Sequence, residues 1–333
     1  MQGRVSTGHT IAEPDAVLEE GRTYHGYREG KYLLPNDGEE QDRLDIQHHI
    51  WGLLLDAKLA WAPLDGDPAH VLDIATGTGV WAIQFAGEHP GSHVVGTDLS
   101  AIQPGEDAHG IANVTFIKED SEDAEWLFGT PFDYIHVRMT LTCFRDPRVV
   151  IRKAYDNLQP GGWLEFQDFW PEVSCLDESS EGGERGAALR TYWGKVVEGY
   201  AATGIDIMIA RRYGTWLEEA GFVDVRSEAI PLPGNPWPDD AKFKHLGRWQ
   251  QVNQTRILGD RNDGGVVAKV LKAAGMTAEE IADLAVRVKA EIPDRNFHWF
   301  WTAYVVYGRK PPAAERQAAP DQGSEPAEVT VAA

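Results

Sequence analysis

The stretch Val71-Leu72-Asp73-Ile74-Ala75-Thr76-Gly77-Thr78-Gly79-Val80-Trp81-Ala82 decides how this chain folds. It opens on an apolar run with one acid inside it, passes two glycines, and continues apolar toward residue 88. That order predicts a strand, a tight turn and a helix over about 80–88. Glycines at such a turn accept left-handed backbone and let a ligand approach without a Cβ in the way. A glycine turn between a strand and a helix is a place where nucleotides are held.

Working outward, the same alternation recurs. "HVVGTDLS" (93–100), "VTFIKED" (114–120) and "FDYIHVRM" (132–139) read as further strands, the first two ending in acids. A helix is predicted from Pro147 to a Pro160-Gly161-Gly162 stop, followed by a strand in "WLEFQDF" (163–169). Alternating strands and helices argue for an α/β fold, a parallel sheet wrapped by helices. Crossovers in such sheets are right-handed and ligands sit at the carboxyl ends of the strands.

Upstream, the first twenty or so residues are polar and aperiodic. Tyr24, His25, Tyr27 and Tyr32 then give an aromatic segment that is not linker composition. A helical pattern starts at Glu39. Its stripe is Leu44, His48 and Trp51, continued by Leu55 and Leu59, and Pro63 with the Asp65-Gly66-Asp67-Pro68 cluster ends it. Downstream, 174–210 and 236–292 look helical, 211–233 reads as helix, turn at Gly221 and strand, and 297–311 is a final aromatic strand. The tail after Pro311 is rich in Ala, Pro and Glu and is expected to be disordered. The expected organisation is a mobile segment 1–21, one domain over 22–311 and a disordered tail 312–333. The domain divides into a cap (22–62), a core (63–173) and helical insertions on the substrate side (174–210 and 236–296).

The chain has 333 residues, 42% of them hydrophobic, which suffices for a substantial core. Asp and Glu number 52 against 31 Lys and Arg, a formal charge of -21, which argues against a nucleic-acid partner. Cys143 and Cys175 cannot make a disulfide framework and read as small buried hydrophobes. The start lacks the apolar core of a signal peptide, and no apolar run is long enough to span a bilayer. The expectation is a soluble cytoplasmic protein, with the nucleus as the other compartment, and no membrane partner.

Gly77-x-Gly79-x-x-Ala82 fits the loose dinucleotide pattern, and Asp98 lies near the distance of a ribose-binding acid. Asp73 speaks against a dinucleotide, because a carboxylate there faces the place of the pyrophosphate and like charges repel. S-adenosyl-L-methionine has no phosphate and carries a cationic amino group and a sulfonium. Asp73 suits the ammonium, Asp98 can accept both ribose hydroxyls, and Asp120 can accept from the adenine amino group. Ala75, Thr76, Leu99 and Ser121 flank these acids and complete the expected cofactor-binding set.

With those residues in place, the chain resembles class I S-adenosylmethionine-dependent methyltransferases. More closely it is similar to the fungal methyltransferases related to the secondary-metabolism regulator LaeA. The matching segments are "YHGYREGKYLLPNDGEEQDRLDIQHH", "VLDIATGTGVWAIQFA", "VVGTDLSAIQP", "FDYIHVRM", "LQPGGWLEFQDF", "WLEEAGFVDV" and "YVVYGRKP". One departure is Ala75, where the class I motif has glycine. The resemblance implies a Rossmann-like, seven-stranded, mostly parallel sheet with its last strand antiparallel, "WTAYVVYG" being the inserted strand. It implies helical insertions and an amino-terminal helical cap folded over the cofactor. There Tyr24, Tyr27 and Tyr32 either offer hydroxyls and ring faces to the sulfonium or pack the helix on the sheet.

Methyl transfer from a sulfonium needs a base only when the acceptor must lose a proton. His49 and His136 are the candidate catalytic residues, with His48 beside them. Asp45 and His49 are at helical neighbour spacing, for which a capping-helix pair with no catalytic role is the favoured reading. His136 and Arg138 alternate on one strand and face the same way. Arg138 either pairs with the cofactor carboxylate or ties down Asp133 or Asp168. No Cys/His cluster has metal spacing, so no metal is expected. Trp193, Trp249 and Trp299 are candidates for an apolar acceptor pocket, or simply pack the insertions. The expected activity is methylation of oxygen or nitrogen on a small-molecule acceptor of secondary metabolism. The other reading is a regulatory methyltransferase acting through protein partners.

Overall fold

The computed structural model describes residues 16–123, 125–176 and 185–313, without the side chains of Glu106 and His109. The expectations for 1–15 and 314–333 lie outside the described residues. A short hairpin comes first, β1 (Ala16–Glu19) paired antiparallel with β2 (Arg22–His25). Structure therefore starts inside the segment expected to be mobile.

Helix α1 (Gly38–Leu54) follows, capped by the Asp37 side chain on the Glu40 amide. It is shorter than its apolar pattern suggested. Asp56 and Ala57 both take left-handed backbone, which breaks the helix, so Leu55 and Leu59 are buried but off it. Its buried face also differs from the expected stripe. Glu40, Arg43, Gln47, Ile50, Trp51 and Leu54 point inward, while Leu44 and His48 sit half-buried at an edge. The cause is the partner. α1 packs on α7 (Ala241–Leu258), whose buried face carries Gln250, Asn253 and Gln254.

The core alternates as its sequence requires: β3 (His70–Ile74), α2 (Val80–Glu88), β4 (His93–Asp98), α3 (Glu106–His109), β5 (Val114–Lys118), β6 (Phe132–Arg138) and α4 (Pro147–Asn157). β7 (Leu158–Cys175) starts at once after α4, so the predicted helix over 147–162 loses its last turn to the strand. Then come α5 (Ala187–Ala202), α6 (Tyr213–Glu219), β8 (Val223–Pro233), α7, α8 (Ala268–Ala273), α9 (Ala278–Glu291) and β9 (Trp299–Arg309).

The seven strands run β5-β4-β3-β6-β7-β9-β8. β9 lies antiparallel between β7 and β8, and every other neighbouring pair for which register is seen is parallel. This is the Rossmann-like sheet with an inserted antiparallel last strand. The chain leaves β3 toward β4 and β5, then returns to β6 on the other side of β3. That reversal opens a crevice at the carboxyl ends of β3, β4 and β6. One face of the sheet packs Trp81, Phe85 and Tyr134; the other carries the larger core, which α5 and the later helices close. Among the described residues, no helix is long and apolar enough to cross a membrane.

Candidate active site

The turn after β3 is held by local geometry. Ala75, Gly77 and Gly79 all have positive φ, at 54°, 59° and 78°. Gly79 is also crowded: a Cβ there would lie 2.6 Å from the Phe116 ring. At Gly77 the nearest atom would be Leu44 Cδ1 at 3.7 Å, so the space above this peptide belongs to a cleft. Of these three left-handed positions, 75 is the one at which the chain carries a Cβ.

That cleft, about 1100 Å³ and open to solvent, runs along the strand ends. Asp73, Ala75, Thr76, Gly77, Asp98, Leu99, Asp120, Ser121, His136, Arg138 and Tyr32 all line it. Gly79 caps the start of α2 beneath it. Each acid is pinned differently. Asp73 is buried; its Oδ1 meets His136 Nδ1 at 2.8 Å and its Oδ2 accepts from Thr76 Oγ1. Asp98 accepts from the Gly77 amide at 2.9 Å and the Ser100 amide at 2.8 Å, leaving carboxylate lone pairs over. Burial still outweighs those bonds and pushes its pKa up to about 6. Asp120 accepts from the Glu122 amide, and both its oxygens also take Lys31 Nζ. Its expected adenine-binding role is therefore shared with a lysine that the sequence did not single out.

His136 is fully buried and stacks on Trp81 at 3.7 Å between centroids. Its Nδ1 is taken by Asp73, and its Nε2 has no partner among the described residues. His49 is a correction: it is exposed, lies outside this cleft and meets the Trp249 ring at 4.7 Å. Asp45 instead accepts from Thr78 Oγ1 at 2.8 Å. One turn-position earlier, His48 does line the cleft. Arg138 Nη2 donates to its Nδ1 at 2.8 Å, so its Nε2 carries the proton and donates to Gln84 Oε1 at 2.8 Å. Burial, with the Arg138 charge adding to it, brings the His48 pKa down to about 4.

Arg138 ties down neither Asp133 nor Asp168. Asp133 accepts from the His70 amide and Gln159, and Asp168 from Thr140 and Tyr213. The guanidinium makes no ion pair with a described carboxylate; burial brings its pKa down to about 10, so it stays charged near neutrality. Among the described residues its one hydrogen-bond partner is His48, which leaves a half-buried cation at the cleft able to meet a carboxylate.

Of the tyrosines, Tyr32 alone lines the cleft. Tyr24 is a second correction: it packs at the hairpin with Lys269 Nζ 3.4 Å from its ring centroid, facing α8. Tyr27 donates to Asp123 at 3.3 Å at the outer edge. The hairpin and the segment after it act as a strap. Arg28 bonds Asp123, Lys31 bonds Asp120 and Glu122, and Asn36 bonds Ser100.

A second cavity, about 730 Å³, adjoins the first. Tyr32, Leu44, Gln47 and Met139 line both. Its far walls include Phe169, Trp193, Val196, Ile257 and Trp301, so it is mostly apolar. Of the three tryptophans singled out in the sequence, Trp193 lines this cavity. Trp249 is half-buried beside His49, and Trp299 is wholly buried over Gly234, so neither lines this cavity. Trp301, two residues on and so on the same face of β9, takes that place, while Trp299 is covered at Gly234.

The fold and the cleft define a Rossmann-like transferase of the S-adenosylmethionine class: a left-handed glycine turn, acids at three successive strand ends and an arginine with no carboxylate partner among the described residues. Residues 46–227 match a family described as a methyltransferase domain. Methyltransferase pytC of Aspergillus terreus is 34% identical over 87% of this chain and 87% of its own length. The probable methyltransferase tdiE of Emericella nidulans is 33% identical over 86% and 87%. The secondary metabolism regulator laeA of Aspergillus fumigatus is 32% identical over 88% and 76%. The chain belongs to this family and is an S-adenosylmethionine-dependent methyltransferase.

Gln47 and Lys31 are residues the sequence reading missed. Gln47 carries a signal in retrospect, because Glu40, Arg43 and Gln47 repeat at helical spacing on one face of α1. Lys31 carries none, since its partner is 89 positions away.

Proposed function

We propose that this enzyme methylates oxygen or nitrogen on a small, largely apolar molecule held in the second cavity, as a step of secondary-metabolite synthesis. The observation that carries this is the shared wall. An apolar chamber opens against the cofactor cleft across Tyr32, Leu44, Gln47 and Met139. The strand ends and the turn hold the cofactor in this reading. Arg138 pairs with the methionine carboxylate, Asp73 attracts the amino group, and Asp98 accepts from the ribose hydroxyls. Leu99, Asp120 and Ser121 frame the adenine. Ala75, Thr76, Gly77 and Gly79 form the floor.

S-adenosylmethionine, when bound, supplies an electrophilic methyl group on a sulfonium. The protein's share is to hold the acceptor atom in line at about 3–3.5 Å and to exclude water. The acceptor–carbon bond forms as the sulfur–carbon bond breaks, giving S-adenosylhomocysteine; an O–H or N–H acceptor releases its proton to solvent or buffer. Neutral His48, with its Nδ1 lone pair spent on Arg138, and His136, buried behind Asp73, are positioning residues here. Similarity to the regulator laeA supports a second reading, a regulatory methyltransferase that acts through protein partners.

The test is calorimetric titration with S-adenosylmethionine and S-adenosylhomocysteine, with NADH as control, then a methyl-release assay over small aromatic phenols and amines. Binding of the first two and turnover of a small acceptor support the proposal. Tight cofactor binding with methylation seen only on protein favours the regulatory reading. NADH binding in place of both would sink it.

A further inference from the structure

α1 and α7 meet through a polar network in what ought to be an apolar seam. Arg43 forks onto Glu40 at 2.8 and 2.7 Å, and its Nη1 reaches Gln47 Oε1 at 3.4 Å and Asn253 Oδ1 at 2.9 Å. Asn253 in turn donates to Gln250 at 3.2 Å. All five side chains are buried. Such networks rarely outdo an apolar seam in stability, so their persistence points to a geometric task. One end of the network, at Gln250, is closed in the seam with its Nε2 buried, and the other end, at Gln47, meets the cavities. With Oε1 facing Arg43, the Gln47 amide turns its Nε2 away, and that nitrogen makes no hydrogen bond to any described residue. Gln47 lines both cavities. Tyr32 lines both as well, and its hydroxyl also lacks a described partner. Burial raises the phenol's pKa well above the ordinary value, so it stays a neutral donor.

We propose that Tyr32 Oη and Gln47 Nε2 form a two-donor site at the boundary of the two cavities. It holds an oxygen of the acceptor, a carbonyl or phenolic oxygen, beside the atom that receives the methyl group. Arg43 and Asn253 are positioning residues for it. This rests on reading the second cavity as the acceptor chamber. The substrate class is then a flat apolar ring system, to lie among Phe169, Trp193 and Trp301, carrying an oxygen acceptor at one edge. A donor left unmatched by an all-carbon ligand costs binding, whereas shape alone does not discriminate.

The experiment is equilibrium dialysis of the protein, saturated with S-adenosylhomocysteine, against chromone and against naphthalene. The two have the same bicyclic shape, and naphthalene is the more hydrophobic. Chromone should bind about tenfold more tightly. Tyr32→Phe with Gln47→Leu should bring the two within about twofold of each other while naphthalene affinity is kept. Equal binding by the native protein, or a preference untouched in the double variant, overturns the two-donor site. Binding of neither compound, with S-adenosylhomocysteine still bound, overturns the acceptor chamber as well but leaves the cofactor cleft standing. Melting curves on each variant separate a lost site from a lost fold.

Discussion

Ala75 and Gly79 show how a single Cβ is priced in this turn. Both are left-handed, yet one tolerates a methyl group and the other has no room for it. An L-residue in that region costs about 1–2 kcal/mol, partly offset because alanine restricts the unfolded chain. Ala75→Gly should therefore raise unfolding free energy by about 0.5–1 kcal/mol in urea denaturation. A loss of stability would show that the strain at 75 is not there. Gly79→Ala should cost about 2 kcal/mol or more, from both strain and the approach to Phe116. Asp98 adds a pH signature. Its carboxyl titrates near 6, and only the ionised form can accept from two hydroxyls. Affinity for S-adenosylhomocysteine should fall about tenfold per pH unit below that value, and Asp98→Asn should abolish the slope. A flat profile in the native protein would remove Asp98 from the ribose site.

At the scale of elements, the strap from β1 to α1 is the part whose place depends on ion pairs. It bridges the two sides of the site. Lys269 and Lys272 on α8 pair with Glu19 and Glu20, while Lys31 reaches Asp120 and Glu122 across the cofactor cleft. The Lys31 pairs are the more buried and should matter most, since exposed pairs contribute little. Lys31→Ala should speed amide exchange over 27–36 and weaken S-adenosylhomocysteine binding. Unchanged exchange with unchanged affinity would mean that apolar contacts of Tyr32 and Leu34 hold the strap by themselves. The strap also explains the misplaced tyrosines. Tyr24 belongs to the hairpin, which docks on α8, and only Tyr32, after the chain has turned, reaches the cleft.

For the molecule as a whole, the most telling buried acid is Asp168, in the middle of the sheet between β6 and β9. It is wholly buried and accepts from Thr140 and Tyr213, and burial pushes its pKa up to about 7. A carboxyl raised on folding takes up a proton as the chain folds between its unfolded pKa near 4 and about 7. Its contribution to stability is then complete below pH 4 and is lost as pH rises through 7. Measured by urea unfolding from pH 5 to pH 8, the native protein should lose stability relative to Asp168→Asn, whose amide does not titrate. A constant difference between the two would place the Asp168 pKa outside that window.

What the sequence determined is what depends on near neighbours. Apolar runs separated by Gly, Pro and Asp set the strands and helices, and the strand-turn-helix at 71–82 placed Asp73, Gly77 and Gly79 at a strand end. Asp98 and Asp120 followed from the same rule, as did β9 as the inserted strand once the family pattern was recognised. Where the sequence reading failed, the deciding contact was remote. His49 and His48 are adjacent in sequence, and only the seating of α1 on α7 turns one toward Arg138 and the other toward Trp249. Trp299 and Trp301 lie on one face of one strand, and the remote Gly234, packed on Trp299, leaves Trp301 to line the cavity. The buried Glu40-Arg43-Gln47 face contradicts amphipathic patterning because its partners come from 250–254. Local periodicity records where backbone hydrogen bonds close; which side chain meets a ligand is fixed when distant elements dock, and that was decided by the tertiary structure alone.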